Sequence, residues 1–215
     1  MKDTLILLGG GGHCKACIDV IEQQGRFAIA GILDKAELVG TQVLNYPIIG
    51  TDAEIATLSA NHSFLVTVGQ IRSPATRITI YSKLKEAKAK IATIVSPRAY
   101  LSAHARIGEG SIVMHGATVN AGATIGNNCI INSHALVEHD AVIHDHCHIA
   151  TGAIINGGAE IGTGSFIGSR AMVREGVTVG AQVIVGGGST VRRNIPSHTQ
   201  FKLLEQYETK DLHHR

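Results

Sequence analysis

Every sixth residue from Val95 to Val191 is aliphatic, and no insertion breaks the count. Four positions after each comes a small residue, Ala99, Ala105, Ser111, Ala117 and onward to Ala171. Only near the end does that slot enlarge, to Val177, Val183 and Ile195. A hexapeptide period of this kind specifies a β-solenoid. Each hexapeptide forms one short flat strand, with its aliphatic residue inside and its small residue filling a corner. Three hexapeptides close an 18-residue coil, and coils stack at roughly 4.8 Å. Residues 95 to 196 supply between five and six coils, and residues 18 apart become vertical neighbours.

The outward positions can then be read as columns. One side presents Ile112, Ile130, His148, Phe166 and Ile184, a second Thr118, Leu136, Ile154, Met172 and Thr190, and a third Arg106, Thr124, Val142, Glu160 and Thr178. The third is a solvated face. The first is an apolar stripe, which predicts an association surface between subunits, with His148 at the boundary.

The first third of the chain has a different pattern. "TLILL" (4–8), "FAIAGILD" (27–34) and "SFLVTVG" (63–69) read as strands, separated by helical stretches over 14–24 and 74–89. This alternation predicts a small parallel, Rossmann-like α/β unit. "GGGGH" (9–13) follows the first strand, where backbone N–H groups at a helix start can meet a phosphate. Gly9 and Gly11 fit the first two glycines of a dinucleotide fingerprint, but the third position is Cys14. Asp34 ends the second strand, where an acid commonly meets a ribose hydroxyl. The expected layout is an α/β domain over 1–92, a parallel β-helix over 93–200 and a tail over 201–215.

Composition narrows the function. A net charge of +2 argues against nucleic acid as a partner. No apolar run has membrane-spanning length and the start lacks a signal-peptide pattern, so a soluble cytoplasmic protein is expected. Cys14 and Cys17 form a C-x-x-C with no second pair, and Cys129 and Cys147 take small-residue corner slots; all four read as core.

Five of the twelve histidines fall between His134 and His148. His139 and His144 have a spacing seen in prism-shaped metalloenzymes, but Ala121 lies under His139 and Gly157 above it, so no catalytic metal is expected. The pattern suits acyl transfer better. His139 can serve as a base, the Gly157 N–H one coil above can hold an acyl oxygen, and Asp140 or Glu138 can orient the ring. His144 and His146 are read as turn residues.

With its glycine turn ending in His13, the "ILD" ending in Asp34, the "VTVG" ending in Gly69 and "NSHALVEHDAVI" (132–143), the chain resembles the hexapeptide-repeat acetyltransferases of bacterial surface sugars. The similarity is to the subfamily of bacillosamine-pathway and perosamine N-acetyltransferases and sialic acid O-acetyltransferase-like proteins. The resemblance implies a left-handed β-helix, a homotrimer, acetyl-CoA between neighbouring prisms, and a UDP- or GDP-linked 4-amino sugar held partly by the N-terminal domain. It implies catalysis by His139 with Asp140, acetyl-CoA contacts from His148 and Gly157, and substrate contacts from Gly11, His13, Asp34 and Asn132. Three positions depart from the pattern: Asp140 stands for a Glu, His144 for a Gly, and the end reads "PSHTQFKLLEQYE", which leaves the adenosine end of CoA unassigned. O-acetylation of a sialic acid-like sugar is the alternative within enzymes; a metal-dependent hydratase and a non-catalytic trimeric scaffold are the alternatives outside acetyl transfer.

Overall fold

The computed structural model describes residues 2–202. The part of the expected tail from 203 onward lies outside them.

The chain opens with strand β1 (Asp3–Leu8), helix α1 (Gly12–Gln24) and strand β2 (Phe27–Leu33). A short hairpin of β3 (Gln42–Val43) and β4 (Tyr46–Gly50) follows, then α2 (Ile55–Leu58), β5 (Ser63–Val66), α3 (Ala75–Glu86) and β6 (Lys90–Ile91). The sheet order is β3-β4-β2-β1-β5-β6, parallel except for β3. The central strand β1 is a continuous apolar run because both its faces are covered, Leu5 and Leu7 on one side, Ile6 and Leu8 on the other. The β3–β4 hairpin had no clear sequence signal: its strands are short, and Pro47 and Gly50 interrupt any alternation.

α1 begins after an extended Gly11 and stops at Gly25, whose φ of 70° closes the last turn in the left-handed region. Its buried residues Cys14, Cys17, Ile18 and Ile21 fall at helical spacing and face the sheet, so both cysteines are core residues. α3 covers the opposite sheet face with Ile80, Tyr81 and Leu84.

From Ile94 onward the chain forms a parallel β-helix of three sheets. One carries the strands at Ile94, Ile112, Ile130, His148, Phe166 and Ile184; the second starts at Tyr100 and the third at Arg106. The register is 18 residues, Ile112 opposite Ile130 and Ile130 opposite His148, as the columns predicted. The inward aliphatics and the small corner residues, including Cys129 and Cys147, form one buried cluster. Both cysteines are free thiols. At one corner position of nearly every hexapeptide the backbone takes a φ near +60°. Gly116, Gly122 and Gly152 occupy it, and so do Asn128, His134, Asp140 and His146. Asn, Asp and His tolerate this region better than other side chains, which accounts for two of the clustered histidines.

Two expectations are corrected. Ile195 does not fill a corner slot: it bridges to Val179, 16 residues back, and Gln200 pairs with Ile184 at the same shortened interval. The last coil is two residues short. The apolar stripe is also not an open association surface. Ile94, Ile112 and Ile130 share a cluster with Cys14, Cys17, Ile18 and Ile21, so α1 is packed between its own sheet and the β-helix. Ile112, Ile130 and His148 are covered from within the chain because the N-terminal domain folds back onto them, while Phe166 and Ile184 stay half-buried.

An Ile130→Glu change therefore places an unpaired carboxylate between domains rather than between subunits. A loss of about 3–5 kcal/mol is expected, the usual cost of an uncompensated buried charge. Urea unfolding would show it as a lower midpoint; an unchanged midpoint would mean that this seam opens freely.

Candidate active site: a cleft and an exposed corner

A cleft of about 1400 Å³ opens at the carboxyl ends of β1, β2 and β5. In an open parallel sheet this is where ligands bind, beside the point at which strand order reverses on either side of β1. Gly9 to His13 form one wall, Asp34 to Leu38 a second, and α3 a third. Asn132 and His148 of the β-helix close the inner end. Gly9 has a φ of 103°, and a Cβ there would overlap the Val68 side chain, so the turn can approach the β5 loop only as glycine.

Asp34 is bonded to the turn it faces. Its Oδ2 accepts from Gly10 N–H at 2.5 Å and its Oδ1 from Lys35 N–H at 2.8 Å. The carboxylate holds the glycine turn in shape as well as lining the cleft.

At the inner end, His148 is 6% exposed. Its Nδ1 lies 2.6 Å from the Gln70 carbonyl oxygen, which can only accept, so Nδ1 carries the hydrogen. Nε2 accepts from Asn132 Nδ2 at 3.1 Å; the Asn132 orientation is set by its Oδ1 accepting from Ser133 N–H. The His13 ring lies 6.3 Å away, and its buried Nε2 has no partner among the described residues. Burial pushes His13 down to about 3, helped by the positive charge of Arg77 and by His148. Burial likewise pushes His148 down to about 4; the Gln70 carbonyl opposes this and Arg77 reinforces it. Both rings are neutral at physiological pH.

The other site residues lie elsewhere. His139 projects from the corner after the second sheet, and its side chain is 66% exposed. Its Nδ1 is 3.0 Å from Asp140 Oδ2. Glu138 is turned away, its Oε2 accepting from Asn120 Nδ2 at 2.9 Å, so Asp140 is the acid that orients the ring. A Cβ on Gly157 would come within 2.7 Å of His139 Cε1 and Nε2, so the imidazole lies over that glycine. The Gly157 N–H makes no hydrogen bond among the described residues. The hydrogen bond with Asp140 raises the His139 pKa; desolvation opposes it, and Coulomb attraction from Asp140 and Glu138 adds to the rise.

Gly11, His13, Asp34 and Asn132 are thus brought together in the cleft, and His139, Asp140 and Gly157 at the corner. Within one chain His148 belongs to the cleft group, apart from Gly157. His144 bonds Glu160 on the solvated face at 2.7 Å, and His146 packs edge-on against Tyr81 in the domain seam. Among the described residues no three His, Cys, Asp or Glu side chains group as a metal site.

Sequence reasoning missed Gln70 and Arg77. Arg77 occupies the first position of the series Arg77, Ile80, Tyr81, Leu84, a core-facing spacing in which a cation is out of place. It also missed a Ser–His–Asp series at the domain seam: His115 Nδ1 lies 2.6 Å from Ser96 Oγ and Nε2 lies 2.9 Å from Asp19 on α1. Ser96 is 2% exposed and does not border the cleft, so this series straps α1 to the β-helix.

A cleft at the carboxyl ends of a parallel sheet joined to a hexapeptide β-helix is a two-domain arrangement whose class comparison with known proteins specifies. Residues 4–84 match the PglD N-terminal domain family, and segments spanning 104–193 match the bacterial transferase hexapeptide family. PerB from Caulobacter crescentus, solved in complex with CoA and GDP-perosamine, is 32% identical over 92% of each chain, with a TM-score of 0.85. A histidine mutant of perosamine N-acetyltransferase from the same organism, with the same two ligands, is 30% identical over 97% of each chain, with a TM-score of 0.87. The acetyltransferase domain of PglB from Neisseria gonorrhoeae, in complex with acetyl coenzyme A, is 30% identical over 94% of this chain and 97% of that one, with a TM-score of 0.88. A search of curated protein sequences finds no match. The chain belongs to the left-handed β-helix, hexapeptide-repeat sugar acetyltransferases that include these perosamine and bacillosamine-type enzymes, and it is an acetyltransferase.

The two neutral histidines give stability a pH dependence. In the unfolded chain both take up protons below about 6.5, while in the folded protein they resist until about 3 to 4. Stability should be fully present above pH 6.5 and fall as pH drops from there toward 4. Urea midpoints across that range should show a shallower fall for His148→Gln than for the wild type; equal slopes would mean that His148 is not held neutral.

Proposed function

We propose that the protein transfers the acetyl group of acetyl-CoA to the amino group of a UDP- or GDP-linked 4-amino sugar in bacterial surface-glycan biosynthesis, in the cytoplasm. Residues 1–92 would hold the nucleotide sugar and 93–200 would supply the acetyl-transfer machinery. The observation that carries this reading is the exposed His139–Asp140 pair over the free Gly157 N–H, in a chain whose cleft suits a nucleotide. The GDP-perosamine and CoA bound by the perosamine enzymes support the substrate pair.

In the proposed mechanism the Asp140 carboxylate accepts the Nδ1–H of His139, leaving the Nε2 lone pair to act as base. The sugar amine arrives protonated and must lose a proton before its nitrogen can attack the thioester carbonyl. Nε2 takes that first proton, and Asp140 stabilises the imidazolium; the second proton, shed by the nitrogen after attack, goes to the departing CoA sulfur. The Gly157 N–H donates to the carbonyl oxygen as it gains charge, and the CoA thiolate leaves. Transfer is direct, since all four cysteines are buried. No metal takes part in this scheme.

Cleft and corner are on different sides of one prism, and a homotrimer would join them. The second sheet presents a half-buried apolar column, Leu136, Ile154 and Met172, with Tyr100 exposed at its foot. If this face turns toward a three-fold axis, its two edges approach the opposite edges of its neighbours. One edge carries Asn132 beside His148, and the other carries His139 in the same coil. Each active site would then take its cleft from one subunit and its base from the next.

His139→Ala is expected to lower kcat by a factor on the order of 10²–10⁴, with the KM for acetyl-CoA nearly unchanged. Retention of more than about a tenth of kcat in a single-turnover measurement would sink the mechanism. His144→Ala should stay within a few-fold of wild type.

The shared site has its own test. His139→Ala and Asp34→Ala subunits, each inactive alone, should regain activity when mixed as heterotrimers, because some sites then combine an intact cleft with an intact base. Light scattering should give a trimer for the wild type and smaller species for Ile154→Glu. A monomeric wild type, or no complementation, contradicts the arrangement.

A further inference from the structure

Arg77 on α3 heads the fully buried side chains by volume and is 1% exposed. No carboxylate pairs with it among the described residues. Its hydrogen bonds go to uncharged oxygens only: Nη1 donates to the carbonyls of Val66 at 3.0 Å and Val68 at 2.6 Å, and Nη2 to Asn128 Oδ1 at 2.7 Å and the Asn128 carbonyl at 3.1 Å. Asn128 answers with its own amide, donating to the Arg77 carbonyl at 3.3 Å. Nε has no partner.

A buried cation without a counter-ion is costly, and an apolar side chain of similar volume would ordinarily serve packing better. Burial lowers the guanidinium only to about 10, so it keeps its charge. What the arginine does, and an apolar residue cannot, is span four acceptors on two domains. The segment it grips runs from the end of β5 to Gln70, and the Gln70 carbonyl is the acceptor for His148 Nδ1–H. Its other anchor, Asn128, sits on the β-helix one coil below His146, to whose Nδ1 its amide also reaches at 3.0 Å.

We propose that Arg77 is a positioning residue for the cleft: by pinning the Val66–Gln70 segment to the β-helix at Asn128, it sets the Gln70 carbonyl that keeps the hydrogen of His148 on Nδ1. Nε2 then remains an acceptor, held toward Asn132 at the inner end of the cleft. The donor and acceptor pattern offered to a ligand there depends on a residue that does not touch the ligand. The proximity of the guanidinium to both histidines adds to the preference for neutral rings.

The test records the ring ¹⁵N signals of His148 in the whole protein without ligand. The wild type should show one form, Nδ1 protonated and Nε2 bare. Arg77→Met, and Arg77→Lys, which keeps the charge but cannot span the four acceptors, should both show a mixture of the two tautomers. Asn128→Gly removes the side-chain anchor at a corner position that glycine fills in other coils, so the fold should survive, and it should shift the signals in the same direction. In all three the KM for nucleotide sugar should rise about ten-fold or more while that for acetyl-CoA stays within two-fold. This kinetic arm rests on the reading of the cleft as the sugar site; the nitrogen signals do not, so the two can fail separately. A single Nδ1–H form of His148 in folded Arg77→Met protein overturns the proposal. Should the Arg77 variants not fold, the same unchanged signal in Asn128→Gly overturns it.

Discussion

The packing of α1 against the first sheet of the β-helix is the contact on which the rest of the molecule depends. It takes one apolar helix and uses it twice, toward its own sheet and toward Ile94, Ile112 and Ile130. A β-helix can be stable on its own ladder and buried aliphatic stack. The small α/β unit has its own helices on both faces of its sheet, and docking adds a second buried side to α1. Once docked, the carboxyl ends of its strands stand beside Asn132 and His148, and the cleft acquires a floor from the other domain. The strap from Asp19 through His115 to Ser96 and the Arg77–Asn128 pair lie along the same seam.

The β-helix supplies a second kind of order. Its ladder places residues 18 apart in vertical register, so the relation of His139 to Gly157 follows from the backbone rather than from packing choices around them. The His139 corner can therefore be exposed and still be defined, whereas the cleft, built where two domains meet, needs buried polar contacts to hold its shape. Preorganisation is achieved by repetition in one place and by a hydrogen-bonded network in the other.

The solenoid was legible because its signal is one-dimensional: period, corner residues and column register are all counted along the chain. The same counting located His139, Asp140 and Gly157 as a group. It could not say that the stripe at Ile112 and Ile130 meets the chain's own helix, since an apolar face looks alike whether a subunit or a domain covers it. The membership of His148 in the cleft was hidden for the same reason, its partners Gln70 and His13 being long-range contacts. The main strands and helices of the N-terminal domain were visible in their alternation; the β3–β4 hairpin and the short α2 and β6 were not. Arg77 was visible too, as a charge at a core-facing helical position, but only contacts reveal what it holds.

The two-residue shortening of the last described coil has a consequence for the regularity of the stack. A full 18-residue coil would leave three flat strands, each with its row of free N–H and C=O groups, ready to accept an identical edge from another molecule. Pairing Ile195 with Val179 and Gln200 with Ile184 at an interval of 16 pulls the chain across the top of the stack out of step with the coils below. Another prism arriving end-on would find no continuous template. The irregular coil thus breaks the register that an end-on copy would have to match.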